Sequence, residues 1–292
     1  MEDYNFIEFK KERDLGAIIS DTFAFIRQNW KDYFITILKI VGPVLLMTLA
    51  VLIFYLLAIS DIFNKSAMES NPGGVFSKLL SWVFAIMFVY VMLYSLLSMT
   101  SLFFIKSYID NKGKPDFHEV KEQVYKNVWK FLGLGILVAA VTVLGAVMCY
   151  LPGIFLGVTL SLATSILVFE ERSISDSFSH SFTLIKGEWW NTFGVLIVVW
   201  LLIGLLGQVF SVPTLIYQFV KMGTVAGNND PTKIFEVFKD PIYLALNIGA
   251  YVFQFMLYSI PLISTVFIYF DLNEQKNATG TFEKIDNLGN HN

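Results

Sequence analysis

The residues best suited by type to chemistry are two adjacent glutamates followed at once by an arginine, Glu170-Glu171-Arg172, because paired carboxylates beside a cation can exchange protons with a reacting group. The other reactive or metal-ligating side chains are three histidines, His118, His180 and His291, and a single cysteine, Cys149. None of the histidines has ligand spacing to another His or to Cys149, so structural or solvated roles are expected and no metal site is assigned. Cys149 stands between Met148 and Tyr150 and reads as packing. Glu171 falls near the start of a helical pattern, where negative charge is favourable by about 0.3 to 1 kcal/mol. We expect no catalytic residue, no cofactor and no enzyme.

The elements that carry these residues are apolar stretches. Hydrophobic residues make up 55% of the 292-residue chain and charged residues 15%, against about 25% charged in an ordinary soluble domain. Six stretches read as membrane-spanning helices: Ile35–Ile59, Leu79–Ile105, Phe131–Tyr150, Gly153–Phe169, Phe193–Val212 and Ile242–Phe270. The acidic and basic residues of positions 1–14 precede any apolar run, so no cleavable signal peptide is expected at this end. Lys and Arg crowd the amino-terminal segment, the loop after the second span and the segment before the fifth, whereas Lys65, Lys78, Lys221, Lys233 and Lys239 fall on the other side. That asymmetry favours both termini in the cytoplasm. Net charge near zero gives no reason to expect a nucleic-acid partner.

A polar segment with helical apolar spacing leads into each odd-numbered span. Ile19, Phe23, Ile26, Trp30 and Tyr33 form the first stripe, Phe117, Val120, Val124, Val128 and Phe131 the second, and Ile174, Phe178, Phe182, Ile185 and Trp189 the third. The run Arg27-Gln28-Asn29-Trp30 aligns with Lys186-Gly187-Glu188-Trp189, and Lys126 with Trp129 is a looser copy. Two explanations stay open: a threefold repeat at 17–110, 116–170 and 173–272, or the aromatic and basic anchors that any multispan protein needs at its inner interface. Trp30, Lys126, Trp129, Lys186, Trp189 and Trp190 are the candidate lipid-interface residues. The polar tail at 273–292 is expected to be disordered.

The stretch from Phe169 to Gly194, with Glu171, Ser181, Leu184, Lys186, Gly187, Trp190 and Phe193 at its marked positions, and the ending Tyr269-Phe270-Asp271-Leu272 carry a family likeness. The chain resembles bacterial six-span proteins that include the membrane domain fused in some bacteria to a glycerophosphoryl diester phosphodiesterase. The resemblance implies a membrane module of the bacterial cytoplasmic membrane. It implies no phosphodiesterase activity here, since that catalytic domain requires a His-Arg-Gly loop and no His of this chain precedes Arg. Nor does Glu170-Glu171 suit intramembrane proteolysis, in which three residues separate the glutamate pair from an Arg; Ser175 stands at that place.

Polar residues at membrane depth are few. Gln208, Asn247 and Gln254 are the candidate intramembrane polar contacts, and Lys39, about one turn inside its span, can snorkel to the headgroups. Pro43, Pro152, Pro213 and Pro261 are candidate helix breaks. Gly153 and Gly157 allow the fourth span to approach the third across a tight Leu151-Pro152-Gly153 turn. The expected architecture is all-α: a polytopic membrane protein of six transmembrane helices in three hairpins, each preceded by a cytoplasmic amphipathic helix. The expected role is to bind, organise or move lipids or lipid-like molecules. The alternatives are a small-molecule permease using the three amides, and a scaffold or homo-oligomer whose segment 213–241 docks another membrane protein.

Overall fold

The structure, a computed structural model, describes residues 6–62, 72–225 and 231–289. Among these residues there is no strand. The elements are α1 (Leu15–Ile62), α2 (Pro72–Asp110), α3 (Phe117–Met148), α4 (Tyr150–Leu160), α5 (Ala163–Phe169), α6 (Ile174–Ile185), α7 (Trp189–Val225), a 3-10 segment (Pro231–Lys239), α8 (Pro241–Leu257), α9 (Ser259–Asn277) and α10 (Thr279–Gly289). Among the described residues, six segments are long and apolar enough to cross a membrane, of which Tyr150–Phe169 joins α4 to α5 and Pro241–Asn277 joins α8 to α9. The chain is a multi-pass membrane protein. The expected turn at 71–74, the break at 227–231 and His291 lie wholly or partly outside the described residues.

Helix boundaries follow local chemistry. Asp116 caps α3 by accepting from the His118 N–H at 2.8 Å, Ser173 caps α6 through the Asp176 N–H at 3.2 Å, and Asp240 caps α8 through the Ile242 N–H at 2.9 Å with Pro241 in the first turn. Nothing of this kind interrupts residues 33–35 or 129–131, so the first two polar leader segments are continuous with their spans. Only the third is a separate helix. It ends at Lys186-Gly187, where Gly187 adopts φ +92°, a conformation that costs glycine nothing.

The prolines divide. Pro43 and Pro213 sit inside the unbroken helices α1 and α7, so the fifth span continues past its expected end at Val212. Pro261 instead falls in the first turn of α9, and the sixth span is two helices meeting at Tyr258. A proline there has no N–H for the Leu257 carbonyl, and its ring crowds that carbonyl.

Two compact units are distinguished, Met1–Ile40 with Ser95–Leu202 and Ser259–Asn292, and Val41–Tyr94 with Ile203–Tyr258. The first is built round α9, which is buried from Ser259 through Glu274. Phe9, from the segment before α1, stacks on Phe267 of α9 at 4.5 Å between centroids and meets Phe25 of α1 edge-on. Tyr33 donates to or accepts from the Ser101 hydroxyl at 2.7 Å, and Thr22 pairs with Ser264 at 3.2 Å. The Thr22, Ser101 and Ser264 hydroxyls also reach the carbonyls of Ile18, Leu97 and Ile260 at 2.7, 2.7 and 3.0 Å, so each of these buried hydroxyls has an acceptor.

The face of α1 turned to this core is Ile18, Thr22, Phe25, Asn29 and Tyr33, whereas Phe23 and Trp30 of the expected stripe are exposed. On α6 the most buried positions are Ser177, Ser181, Leu184 and Ile185 rather than Phe178 and Phe182. These two stripes therefore follow expectation only in part: Tyr33 and Ile185 are buried as expected, whereas Phe23 and Trp30 face outward and Thr22, Ser177 and Ser181 face inward. Close helix approach needs small side chains, and lipid accepts the large ones. On α3 the expected stripe holds, with Val120, Val124 and Phe131 buried.

Within the tail expected to be disordered, residues 279–289 form α10. Glu274 accepts from the Gly280 N–H at 2.7 Å and the Thr281 N–H at 2.9 Å, which satisfies amides at the start of α10. Lys10 pairs with Glu283 at 2.5 Å and Lys284 with Glu8 at 2.6 Å. Composition concealed this because the capping carboxylate lies six positions upstream, in the preceding helix.

Between α3 and α4 the close approach is at Gly153, not Gly157. A Cβ at Gly153 would stand 2.6 Å from the Ala146 Cα, while one at Gly157 would meet the Thr142 Cγ2 at an ordinary 3.5 Å. Gly153→Ala is therefore expected to destabilise by about 1–3 kcal/mol, as overpacking does, and Gly157→Ala to be near neutral. Thermal unfolding of the purified variants checks this; equal Tm values for the two would remove the close-packing account.

Candidate functional site

The two sequence patches that carry the family likeness meet inside the first unit. Phe169, at the end of α5, stacks on Tyr269 of α9 at 5.5 Å and lies edge-on to Phe270 at 4.8 Å. The Tyr269 hydroxyl donates to Glu170 Oε1 at 3.1 Å. Glu170 Oε2 in turn receives Arg172 Nε at 2.5 Å and has His180 Nε2 at 3.6 Å. His180 is thus a carboxylate's neighbour. Glu171, at φ +54°, turns away to Lys106 Nζ at 2.6 Å, and that hydrogen bond holds its carboxyl below the usual range. Lys106 also donates to the Val168 carbonyl at 3.3 Å and so closes the last turn of α5. The glutamates are each committed to a different cation, and no shared proton site results.

Asp271 anchors the amino-terminal segment. Its Oδ1 accepts the Arg13 backbone N–H at 2.7 Å, and its Oδ2 accepts from Gln275 at 3.0 Å. The buried Arg13 guanidinium pairs with Asp21 at 2.9 Å and donates to the carbonyls of Phe9 at 2.6 Å, Lys11 at 3.1 Å and Glu8. Burial lowers its pKa while Asp21 opposes that shift. With its donors satisfied and its face 4.7 Å from the Phe267 ring centroid, the guanidinium stays charged in the interior.

Of the candidate lipid-interface residues, Trp30, Lys126, Trp129, Lys186 and Trp190 are exposed, Trp129 by 80% and Trp190 by 76%. Trp189 is half-buried. It stacks on Phe193 at 5.2 Å and on Phe155 at 5.7 Å, and its indole N–H donates to the Phe155 carbonyl at 3.4 Å. Trp190 lies edge-on to it at 4.8 Å. The Lys186 carbonyl, with that of Thr183, accepts from Lys276 Nζ at 3.0 and 2.7 Å, a cation at the carboxyl end of α6. Lys39 is exposed and has Phe117 beneath its ammonium at 5.0 Å.

The three intramembrane amides do not converge. Gln208 is exposed, and Asn247 is within hydrogen-bonding reach of Tyr243. Gln254 alone lines a cavity of about 180 Å³ in the second unit. Its amide lies directly over Gly207, where any Cβ would collide with it. Around it are the tyrosines Tyr90, Tyr251 and Tyr258 and the Thr48 hydroxyl, itself bonded to the Val44 carbonyl at 2.8 Å, while α1 and α2 supply aliphatic walls such as Leu52 and Leu93. An engineered apolar cavity of about 150 Å³ holds a benzene molecule, so this one has room for a short apolar segment with hydrogen-bonding groups at hand. Sequence reading missed these tyrosines because they are scattered over spans two and six; their only signal was a hydroxyl at membrane depth.

No family model matches the chain, and neither curated proteins nor solved structures give a significant match.

Arg13→Ala is expected to cost about 1–3 kcal/mol, because it removes the pairing with Asp21, which keeps only Lys11 at 3.4 Å, and frees the carbonyls of Glu8, Phe9 and Lys11. Denaturant or thermal unfolding measures the loss. A change under about 1 kcal/mol would show that the amino-terminal segment is not held by this knot.

Proposed function

We propose that this protein binds lipids or lipid-like amphiphiles within its membrane-spanning part and is not an enzyme. The observation that carries the reading is the cavity of about 180 Å³ with aliphatic walls, one free-standing amide at Gln254 and three tyrosines. An amphiphile places its tail against the walls and its ester or hydroxyl on those polar groups, the division of labour expected of a small-molecule site. A permease that uses all three amides is less well supported, since Gln208 and Asn247 do not line this cavity.

The proposal includes a topology. Both termini lie in the cytoplasm of a bacterial cell, as the distribution of Lys and Arg favours. The six spans form three hairpins of one orientation, each led by a polar–apolar segment whose exposed Trp and Lys side chains rest at the headgroups; the outward Trp30, Trp129 and Trp190 support this. Kinship with the membrane domain associated with glycerophosphoryl diester phosphodiesterases belongs to the same proposal. Its support is the contact between the two signature patches, through Tyr269 and Glu170. Membrane lipids are the first partner; a second copy or another membrane protein is the alternative.

Native mass spectrometry of the gently extracted protein tests the reading. A stoichiometric amphiphile is expected, held about fivefold less tightly after Gln254→Leu, which removes one hydrogen bond, and excluded after Leu93→Trp fills the space. A folded protein that carries no amphiphile, or one whose lipid retention ignores both substitutions, would overturn the assignment.

A further inference from the structure

A second cavity, of about 210 Å³, lies in the first unit where the residues before α1, the start of α7 and the end of α9 come together. Its polar lining is Arg13, Asp14, Glu188, Asn191, Asp271 and Gln275, together with Thr192. The charge balance is three carboxylates to one guanidinium. That guanidinium is engaged by Asp21 and by the carbonyls of Glu8, Phe9 and Lys11, so it does not neutralise the cavity.

The hydrogen bonds make the lining rich in acceptors. Asn191 gives its amide N–H to Glu188 at 2.6 Å, and Gln275 gives its own to Asp271 at 3.0 Å, which leaves both amide oxygens as acceptors. Thr192 is 2% exposed, and its hydroxyl has no hydrogen-bond partner. A buried hydroxyl left unpaired is unfavourable, and an occupant that bonds to it removes that cost.

The carboxylates line the space without converging: among the described residues no group of three His, Cys, Asp or Glu side chains is placed to hold a metal ion. An occupant must therefore reach spaced acceptors. The lining also contains no aromatic side chain, whereas quaternary ammonium groups are recognised by aromatic cages. We propose that this cavity binds a primary ammonium group, whose three N–H donors suit the carboxylates and amide oxygens. It is presented by a free amine or by an aminophospholipid headgroup. The inference is independent of the amphiphile cavity, which lies in the other unit.

The test uses the full chain with two soluble cations and two nanodisc compositions. Ethanolamine and tetramethylammonium are titrated against the detergent-solubilised protein with Tm as the readout, and the protein is also placed in nanodiscs of phosphatidylethanolamine or phosphatidylcholine. A saturable rise in Tm with ethanolamine, absent with tetramethylammonium, identifies a free amine. A rise confined to phosphatidylethanolamine nanodiscs identifies the headgroup. Either response is expected to weaken by about tenfold in Glu188→Gln, the loss of one charge-assisted hydrogen bond. Thr192→Val is expected to weaken it as well, without lowering the Tm of the unliganded protein, since the hydroxyl it removes is unpaired. Equal responses to ethanolamine and tetramethylammonium mean that cations bind without recognition of the N–H donors, and no response to either amine source means that the cavity holds water only; either result overturns the proposal.

Discussion

The first unit depends on one hydrogen bond with a buried charge behind it: Asp271 on α9 accepts the backbone N–H of Arg13, and Arg13 holds Asp21 on α1. A carboxylate and a guanidinium are costly to bury, and each is tolerated because its donors or acceptors are used. The segment before α1 is fastened by that pairing, which seats Phe9 against Phe267 and Phe25. Lys10 and Glu8 then lie where α10 can bind them through Glu283 and Lys284. The amino-terminal segment, the central helix and the tail are thus joined by polar contacts round an aromatic core.

The signature stretch acquires a physical meaning from the same unit. Ser181 and Leu184 are buried because α6 needs a small and an aliphatic contact there, Gly187 supplies the positive φ that ends the helix, and the Lys186 carbonyl receives Lys276. Glu171 adopts a left-handed turn and pairs with Lys106. These are requirements of packing and of turn geometry. Paired glutamates, which in the linear chain look capable of acid–base work, are separated by the turn between them and given to different partners.

The second unit makes a different use of apolar sequence. Gln254 costs free energy at membrane depth unless something satisfies its amide, yet it is set over Gly207 beside a cavity. A glycine on α7 thereby admits a polar group from α8. The pairing of a residue without a side chain and a residue with an unfilled amide is what distinguishes this place from an ordinary helix contact.

Membrane class, helical class and the six spans were legible in the chain, because lipid imposes about 20 consecutive apolar residues and internally satisfied backbone on whatever crosses it. Which face of a helix points inward was not, as Trp30 and Phe23 on α1 and Phe178 on α6 show: lipid is as apolar as a protein core, so hydrophobic periodicity separates membrane from water and cannot separate lipid from neighbouring helix. The burial of Ser177, Thr22 and Asn29, the cavity behind Gln254, and the capping of α10 by Glu274 were decided by tertiary structure alone. Each depends on a partner distant in the chain or on a small side chain whose value appears only once another helix lies against it.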